Sequence, residues 1–204
     1  RFAVARAFEQ LDLGAGCVLT GFQESWIVNA SSFGRQRGAR VTNLSYSLPL
    51  SYAALATKYA DTRAQNGMVH FAAAGNDGAQ GIAFPANLAV VNAVGALTMA
   101  NGAATYSNTG PELDFLAPGD NIQTTDRTGA NGIDPGNYAT VSGTSFSSIH
   151  AAAVAALVLS IDPTLAPGNV ENIMKLASHD LGPAGFDPIF GHGRLDALDA
   201  VNLA

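Results

Sequence analysis

The triplet Gly143-Thr144-Ser145 places a serine hydroxyl where nucleophilic chemistry is favoured. It follows a polar turn and precedes an alanine-rich apolar stretch, to about Ile161, that predicts a long helix. The free N–H groups and the dipole of a helix N-terminus stabilise developing negative charge. A serine hydroxyl also needs a base to take its proton before it can attack. Because serine and threonine are common helix N-caps, the triplet alone leaves a purely structural role open.

A second polar turn supplies a donor of the type that acyl transfer requires. Asn76 lies in the sequence Gly75-Asn76-Asp77-Gly78, directly after an apolar strand-like segment. Acyl transfer needs hydrogen-bond donors directed at the developing oxyanion, and an asparagine amide can be one. Asn-Asp-Gly by itself is more often only a turn.

The elements between these motifs alternate between helix and strand. Helices are predicted at residues 24–36, 49–67, 145–161, 167–178 and 195–203. Strands are predicted at residues 41–45, 68–74, 90–97 and 115–117, and a Gly/Asp/Asn-rich loop at residues 129–137. This order predicts an α/β fold, a parallel sheet with helices on both faces. Sites in such sheets form beyond the carboxyl ends of the strands, where Ser45-Tyr46-Ser47 and Asn76 are predicted to lie.

Composition narrows the classes of function. The 204 residues suit a single domain, 1–204, and the net charge of −6 with ten Lys plus Arg argues against nucleic acid. No apolar run reaches the ~18 residues of a membrane span, so the apolar stretch before Pro163 is predicted to be a buried helix. Cys17 is the only cysteine, which excludes an internal disulfide.

Several segments, in order, resemble the motifs of the subtilisin-like serine protease family. Ser142 to His150 resembles the serine motif, Phe71 to Gly78 the oxyanion motif, and Val41 to Ser47 the substrate-binding strand. Further matching blocks are residues 84–86, 90–96, 106–119 and 191–197. Several ordered motifs together are more specific than any one of them, and the resemblance covers roughly residues 24–201.

The resemblance implies a role for each of these positions. Ser145 would attack the peptide carbonyl, while the side chain of Asn76 and the N–H of Ser145 would bind the oxyanion. Ser45, Tyr46 and Ser47 would pair as an added strand with the substrate. The pocket for the residue before the cleaved bond would be lined by Ala73, Ala74 and Gly75.

The histidine and aspartate of a catalytic triad have no match in this sequence. In the family both precede the Ser45 block, yet the first histidine here is His70. His70 lies too far from Asn76 along its strand, and His150 points away from Ser145 on its helix. His150 matches the histidine of the family's serine motif, so the resemblance implies a buried, hydrogen-bonded structural role for it. His179 and His192 belong to the C-terminal region, where His192 is expected in a turn.

Two hypotheses follow from the missing base. The chain is either the C-terminal part of a protease domain whose N-terminal chain or segment supplies the aspartate and histidine, or an inactive binding or scaffold protein with the same fold. The intact Ser145 and Asn76 motifs favour the first. An α/β-hydrolase is excluded, because Ser147 stands where the nucleophile elbow requires glycine.

The resemblance also implies a polypeptide substrate, a secreted or cell-surface location and calcium as the one candidate structural ion. A weak cation site is expected at Glu112 and Asp114, with the carbonyls near Ala86 and Leu88. Asp126, Asn131 and Asp134 form a looser oxygen cluster without calcium-loop spacing. No residue is assigned as a metal ligand on this basis.

Overall fold

A four-stranded parallel sheet forms the centre of the protein. The computed structural model describes residues 8–12, 18–129 and 132–204. The strands follow each other in the order β3-β4-β5-β6, namely β3 (Val41–Leu44), β4 (Val69–Ala73), β5 (Asn92–Leu97) and β6 (Leu113–Pro118). All three pairings are parallel, so the carboxyl ends of the four strands share one edge of the sheet.

Helices cover both faces of this sheet. One apolar cluster contains residues of α1 (Glu24–Gln36) and α2 (Ala53–Asn66). The other contains residues of α3 (Thr144–Ile161), α4 (Pro167–Leu176) and α5 (Ala197–Leu203). The predicted three-layer α/β fold is therefore confirmed.

Alternation along β4 explains how one strand serves both layers. Val69 and Phe71 point into the cluster of α3 and α4, whereas Ala72 packs on the side of α1 and α2. All five residues of β4 are buried, and four of them are apolar, as expected for a strand covered on both faces. The alanines leave room for the helices to lie close to the sheet.

Helix α3 runs through the core but retains an uncovered stripe. Its inner residues, such as Ala151 and Val158, are fully buried against the sheet. Its outer face carries the exposed side chains of Ile149, Leu157 and Ile161. This helix is the one candidate in the described residues with the length and hydropathy to cross a membrane, and 44% of it is buried within the domain. That burial is typical of a core helix, as the sequence predicted.

Two antiparallel hairpins stand outside the predicted pattern. Strands β1 (Phe8–Asp12) and β2 (Val18–Phe22) pair with each other. Strands β7 (Ile122–Thr125) and β8 (Tyr138–Val141) also pair, and the predicted polar loop lies between them. These strands are only four or five residues long, and segments as short as these give an ambiguous pattern for sequence prediction.

Helix α2 begins later than predicted, at Ala53 rather than Pro49. The N–H of Leu48 donates to the carbonyl of Phe84 at 2.9 Å, which keeps the chain extended just before the proline. The helix ends as predicted at Gly67, whose φ of 63° is a left-handed conformation that glycine adopts without strain.

A charged cluster joins α2, α4 and β5. Arg63 donates two hydrogen bonds to the carboxylate of Glu171, one of them at 2.7 Å to Oε2. Asn92 donates to the same carboxylate at 3.1 Å and to the carbonyl of His70 at 2.9 Å. The cluster lies toward the amino ends of the strands, since Asn92 is the first residue of β5 and Val69 opens β4.

Candidate active site

Asn76 lies in a turn directly beyond β4 that a second asparagine holds in shape. The side-chain oxygen of Asn108 accepts the N–H groups of Asp77 and Ala79 at 2.9 and 3.2 Å. Gly75 has a φ of 114°, and a Cβ there would collide with the amide of Asn108. Only glycine fits this position, and the turn presents the Asn76 side chain at the exposed edge of the sheet.

Thr144, the first residue of α3, fixes the orientation of the Asn76 amide. The Thr144 N–H donates to Asn76 Oδ1 at 2.8 Å, and the Thr144 hydroxyl donates to the same oxygen at 2.9 Å. Oδ1 is thus bonded to two donors of Thr144, and the NH₂ group lies near Gly143, where a Cβ would be 3.7 Å from Nδ2. Sequence analysis missed this role of Thr144, because its partner lies 68 residues away along the chain.

Ser145 is the second residue of α3 and lies at the carboxyl edge of the sheet, as expected. In the part of the chain that the structure describes, its N–H has no hydrogen-bond acceptor. The first N–H groups of a helix lack partners within the helix, so this one is available to a ligand. The Ser145 N–H and the Asn76 NH₂ are thus two donors at the start of α3 that have no acceptor among the described residues; their use as an oxyanion hole stays a prediction.

Ser45 ties the nucleophile helix to the end of β3. Its hydroxyl donates to the carbonyl of Ser145 at 2.8 Å and lies 3.3 Å from the hydroxyl of Ser148. In return, the Ser145 hydroxyl contacts the Ser45 carbonyl at 3.5 Å, the long limit of a hydrogen bond. The nucleophile therefore has a weak partner that leaves it free to reorient.

The three residues after β3 extend beyond the sheet. Ser45 and Ser47 are exposed, and residues 45–47 belong to no ladder between the described strands. The Tyr46 side chain turns inward, where its hydroxyl forms a hydrogen bond with the Tyr59 hydroxyl of α2. Burial is the main cause that raises the pKa of both phenols, which keeps the pair neutral. Pairing of this segment with a substrate stays a prediction.

The residues predicted to line a substrate pocket lie at the end of β4. The side chains of Ala73 and Ala74 are almost completely buried. The N–H of Gly75 faces the Thr144 hydroxyl at 3.3 Å, which places this backbone beside the nucleophile helix. Lining of a substrate pocket by these residues stays a prediction.

None of the histidines in the described residues contacts the Ser145 hydroxyl. His70 is fully buried between Thr42, Thr62 and the carbonyl of Tyr59, and burial lowers its pKa to about 4. These contacts give His70 a structural role, and its distance from the site agrees with the sequence analysis. His150 also has a partner, because its Nδ1–H donates to the carbonyl of Phe146 at 2.8 Å. Its predicted burial is wrong, because it lies on the uncovered side of α3.

The two C-terminal histidines have other partners. His192 belongs to the turn around Gly191, as expected, and its ring packs near Phe115 and Phe186. His179 Nε2 lies 3.2 Å from a carboxylate oxygen of Asp196, which also caps α5. Asp199 is 3.8 Å from the same nitrogen, so these residues form the one three-member group of metal-type ligands in the described chain. All three are at least partly exposed, and the hydrogen bond between His179 and the carboxylate that caps α5 accounts for their arrangement.

The expected weak cation site does not fit calcium in this arrangement. Glu112 and Asp114 line a cavity of about 230 Å³, together with residues 87–92. Asp114 is part of β6 rather than of a loop, and one of its oxygens accepts the N–H of Ala93 at 2.9 Å. Its other oxygen lies 3.9 Å from the Lys175 ammonium. The positive charge beside Asp114 is therefore that of Lys175 and not of a calcium ion. Burial raises the Asp114 pKa to about 6.

The second predicted oxygen cluster, around Asp126 and Asp134, belongs to a hydrogen-bonded turn. The Asp126 carboxylate accepts N–H groups from Arg127, Ile133 and Asp134, and the bond to Asp134 is 2.9 Å long. These backbone bonds lower the pKa of Asp126. Asn131, the third member of the predicted cluster, lies outside the described residues.

The chain resembles several known proteins over most of its length. It is 34% identical to "Subtilisin" from Bacillus pumilus over 183 residues, which is 88% of this chain and 62% of that protein. It is 35% identical to "Subtilisin E" from Bacillus subtilis, again over 88% of this chain but 45% of that one. The chain thus spans about half to three fifths of the length of these curated relatives.

A solved structure and a family match agree with this similarity. The crystal structure of a lanthipeptide protease has a TM-score of 0.79 and 24% identity, covering 90% of this chain and 67% of that one, which shows the shared fold. The subtilase family matches residues 12–193, a range that includes the Asn76 turn, the Ser45 segment and the Thr144–Ser145 helix start. With that match and the identity to the subtilisins, the chain belongs to the subtilase family.

Proposed function

We propose that this chain carries the nucleophile and the oxyanion hole of a serine endopeptidase that acts through an acyl-enzyme on Ser145. The observation that carries the proposal is the pair of hydrogen bonds from Thr144 to Asn76 Oδ1, which holds the Asn76 amide against the residue that directly precedes Ser145 and leaves its NH₂ group as a free donor. Donors that are fixed before the reaction stabilise a developing oxyanion without reorganisation. Identity to the subtilisins supports a serine protease over an inactive scaffold.

The mechanism follows from these groups. The Ser145 oxygen forms a bond to the peptide carbonyl carbon, and the carbonyl electron pair moves onto the carbonyl oxygen. Asn76 Nδ2 and the Ser145 N–H donate hydrogen bonds to the resulting oxyanion. The Ser145 proton passes to a base and then to the leaving amine as the C–N bond breaks. A water molecule, deprotonated by the same base, hydrolyses the resulting ester and restores Ser145.

We further propose that a segment N-terminal to this chain supplies the base, a histidine, and the aspartate that orients it. The described histidines are engaged elsewhere, and the relatives are longer than this chain. Two surfaces are open for such a segment to pack on. One is the outer edge of β3, which pairs only with β4 among the described strands, and the other is the exposed apolar stripe of α3. The polypeptide substrate and a secreted or cell-surface location belong to the same proposal, by resemblance to the family.

The experiment is covalent labelling of the nucleophile. The protein, prepared with the residues that precede Arg1 in its gene, is treated with a fluorophosphonate, and the modified residue is identified by mass spectrometry. We expect modification of Ser145 and hydrolysis of peptides, both abolished by Ser145→Ala but retained by Ser148→Ala. Without the preceding segment, labelling should slow by about 10²–10⁴-fold, the usual contribution of a general base. An unlabelled Ser145 in the folded, extended protein would favour the scaffold alternative.

A further inference from the structure

A carboxylate lies at the far end of the row of strand ends that forms the candidate site. Ser45 follows β3 at one edge of the sheet, Asn76 follows β4, and Asp120 follows β6 at the opposite edge. With neighbouring strands about 4.8 Å apart, the two edges are separated by roughly 14 Å, or about four residues of extended peptide. Ser145 lies between them, bonded to Ser45 on one side.

Asp120 is tied directly to the turn that precedes the nucleophile. Its Oδ1 accepts a hydrogen bond from the Ser142 hydroxyl at 2.9 Å, three residues before Ser145. The Ser142 hydroxyl in turn accepts the N–H of Asn121 at 2.9 Å, and the N–H of Gly143 donates to the Gly119 carbonyl at 2.8 Å. These bonds hold the carboxylate in place beside the start of α3.

The charge of Asp120 is not neutralised within the described part of the chain. Its hydrogen-bond partners, Ser142 and Asn121, are neutral, and no lysine, arginine or histidine nitrogen of the described residues lies within 4 Å of it. The carboxylate is half-buried. After burial, its negative charge is the next cause that raises the pKa of Tyr106, whose hydroxyl bonds to the carbonyl of Gly119.

We propose that Asp120 makes this site select substrates with a lysine or arginine on the leaving-amine side of the cleaved bond. The inference rests on the proposed function, in which residues 45–47 bind the acyl side of the substrate. A peptide extended from that segment past Ser145 then continues toward Asp120, which it reaches within one to three residues of the cleaved bond. An unpaired carboxylate there attracts a cationic side chain and disfavours an acidic one.

The test compares substrates that differ only beyond the cleaved bond. The extended protein is assayed with three quenched peptides of one acyl-side sequence, carrying lysine, glutamine or glutamate at the second residue after the cleaved bond. A p-nitroanilide with the same acyl side has no residue in that region. We expect kcat/KM to be about 2- to 5-fold higher for lysine than for glutamine, the size expected for a half-exposed charge pair. The preference should weaken in 0.5 M NaCl.

Two variants separate the site from the overall charge of the protein. Asp120→Asn should bring the lysine-to-glutamine ratio close to 1 and leave p-nitroanilide hydrolysis within about 2-fold of wild type. Asp61→Asn removes the same charge from an exposed position on α2 and should keep the wild-type ratio.

A ratio that is the same in wild type and Asp120→Asn would overturn the inference. In that case continued p-nitroanilide hydrolysis and Ser145 labelling would leave the proposed function standing. Loss of hydrolysis and labelling in the wild-type protein would overturn the proposed function, and this inference with it.

Discussion

Two polar clusters lie toward opposite ends of the same sheet, and they use their hydrogen-bonding groups in opposite ways. Toward the amino ends, Glu171 binds Arg63 and Asn92 and ties together two helices and a strand. At the carboxyl ends, Thr144 binds the oxygen of the Asn76 amide but not its NH₂ group, and the Ser145 N–H has no acceptor among the described residues. In the first cluster the polar side chains bind one another. In the second cluster the Ser145 N–H and the Asn76 NH₂ have no acceptor among the described residues.

This difference separates a structural cluster from a site. A buried polar group without a partner costs about 1–3 kcal/mol, so a fold satisfies its polar groups wherever function does not require otherwise. Donors left open at a solvent-facing edge remain available for a ligand. Substitutions in the first cluster should therefore affect stability, and those in the second should affect catalysis.

The largest effect is expected at Asn76. Asn76→Ala removes one of the two oxyanion donors, so the rate of Ser145 acylation in the extended protein should fall by about 10²–10³-fold. The free energy of unfolding should fall by about 1–3 kcal/mol, because Thr144 is buried and its N–H loses its acceptor. Burst kinetics and urea denaturation measure the two quantities.

Thr144→Val serves as the graded control. It keeps the backbone bond to Asn76 Oδ1 but removes the hydroxyl bond, so acylation should slow less than in Asn76→Ala. Equal acylation rates in wild type and Asn76→Ala would contradict the assignment of the oxyanion hole.

The next effect is expected in the charged cluster. Glu171→Gln leaves the Arg63 guanidinium without its charge partner in a site where the two side chains are 23% and 15% exposed. We expect a loss of about 2–3 kcal/mol in the free energy of unfolding, somewhat below the cost for a fully buried pair. Chemical denaturation at neutral pH measures it.

Glu112→Gln is the matched change at an exposed carboxylate and should shift stability by less than about 0.5 kcal/mol. The double variant Arg63→Met with Glu171→Met should recover part of the loss, because no charge is then left unpaired. A double variant less stable than the sum of its single changes would argue against the pair as the source of stability.

The smallest effect concerns Asp114, whose pKa is raised from 3.8 to about 6, mainly by burial. Between about pH 4 and 6 the folded protein holds more protons at this group than the unfolded chain. Its contribution to stability is therefore complete below pH 4 and is lost as the pH rises through 6. Because the side chain is 23% exposed, we expect a loss of about 1–2 kcal/mol.

Asp114→Asn isolates this contribution, since its side-chain oxygen can still accept the Ala93 N–H. The stability of wild type relative to this variant should decrease between pH 4 and pH 7, as measured by denaturation at both values. A constant difference across this range would show that Asp114 titrates normally.

The sequence predicted the layers of the fold because apolar strands and amphipathic helices carry strong patterns. Helix α1 begins and ends where predicted, and β4 differs by one residue at each end. The hairpin of β7 and β8 was not predicted, since its strands pair through backbone bonds and little apolar surface distinguishes them from the loop they enclose. The burial predicted for His150 failed because that side of α3 is uncovered among the described residues.

The candidate site was predicted at the level of residues but not of contacts. Serine at a helix start and asparagine in a glycine turn have recognisable residue types, whereas the bonds that orient them span the sequence. Thr144 looked like part of the motif, and only its proximity to Asn76 shows what it does. The carboxylate of Asp120 had no sequence signal, because a single aspartate after a strand is common.

The bond between Thr144 and Asn76 also sets an order of events during synthesis. Asn76 leaves the ribosome 68 residues before Thr144, so no earlier segment can hold its amide in the orientation seen here. The proposed oxyanion donor is therefore oriented only when the start of α3, which also carries the proposed nucleophile, docks against the turn beyond β4. A nascent chain that ends before Thr144 lacks both the bonds that orient Asn76 and the serine that follows them.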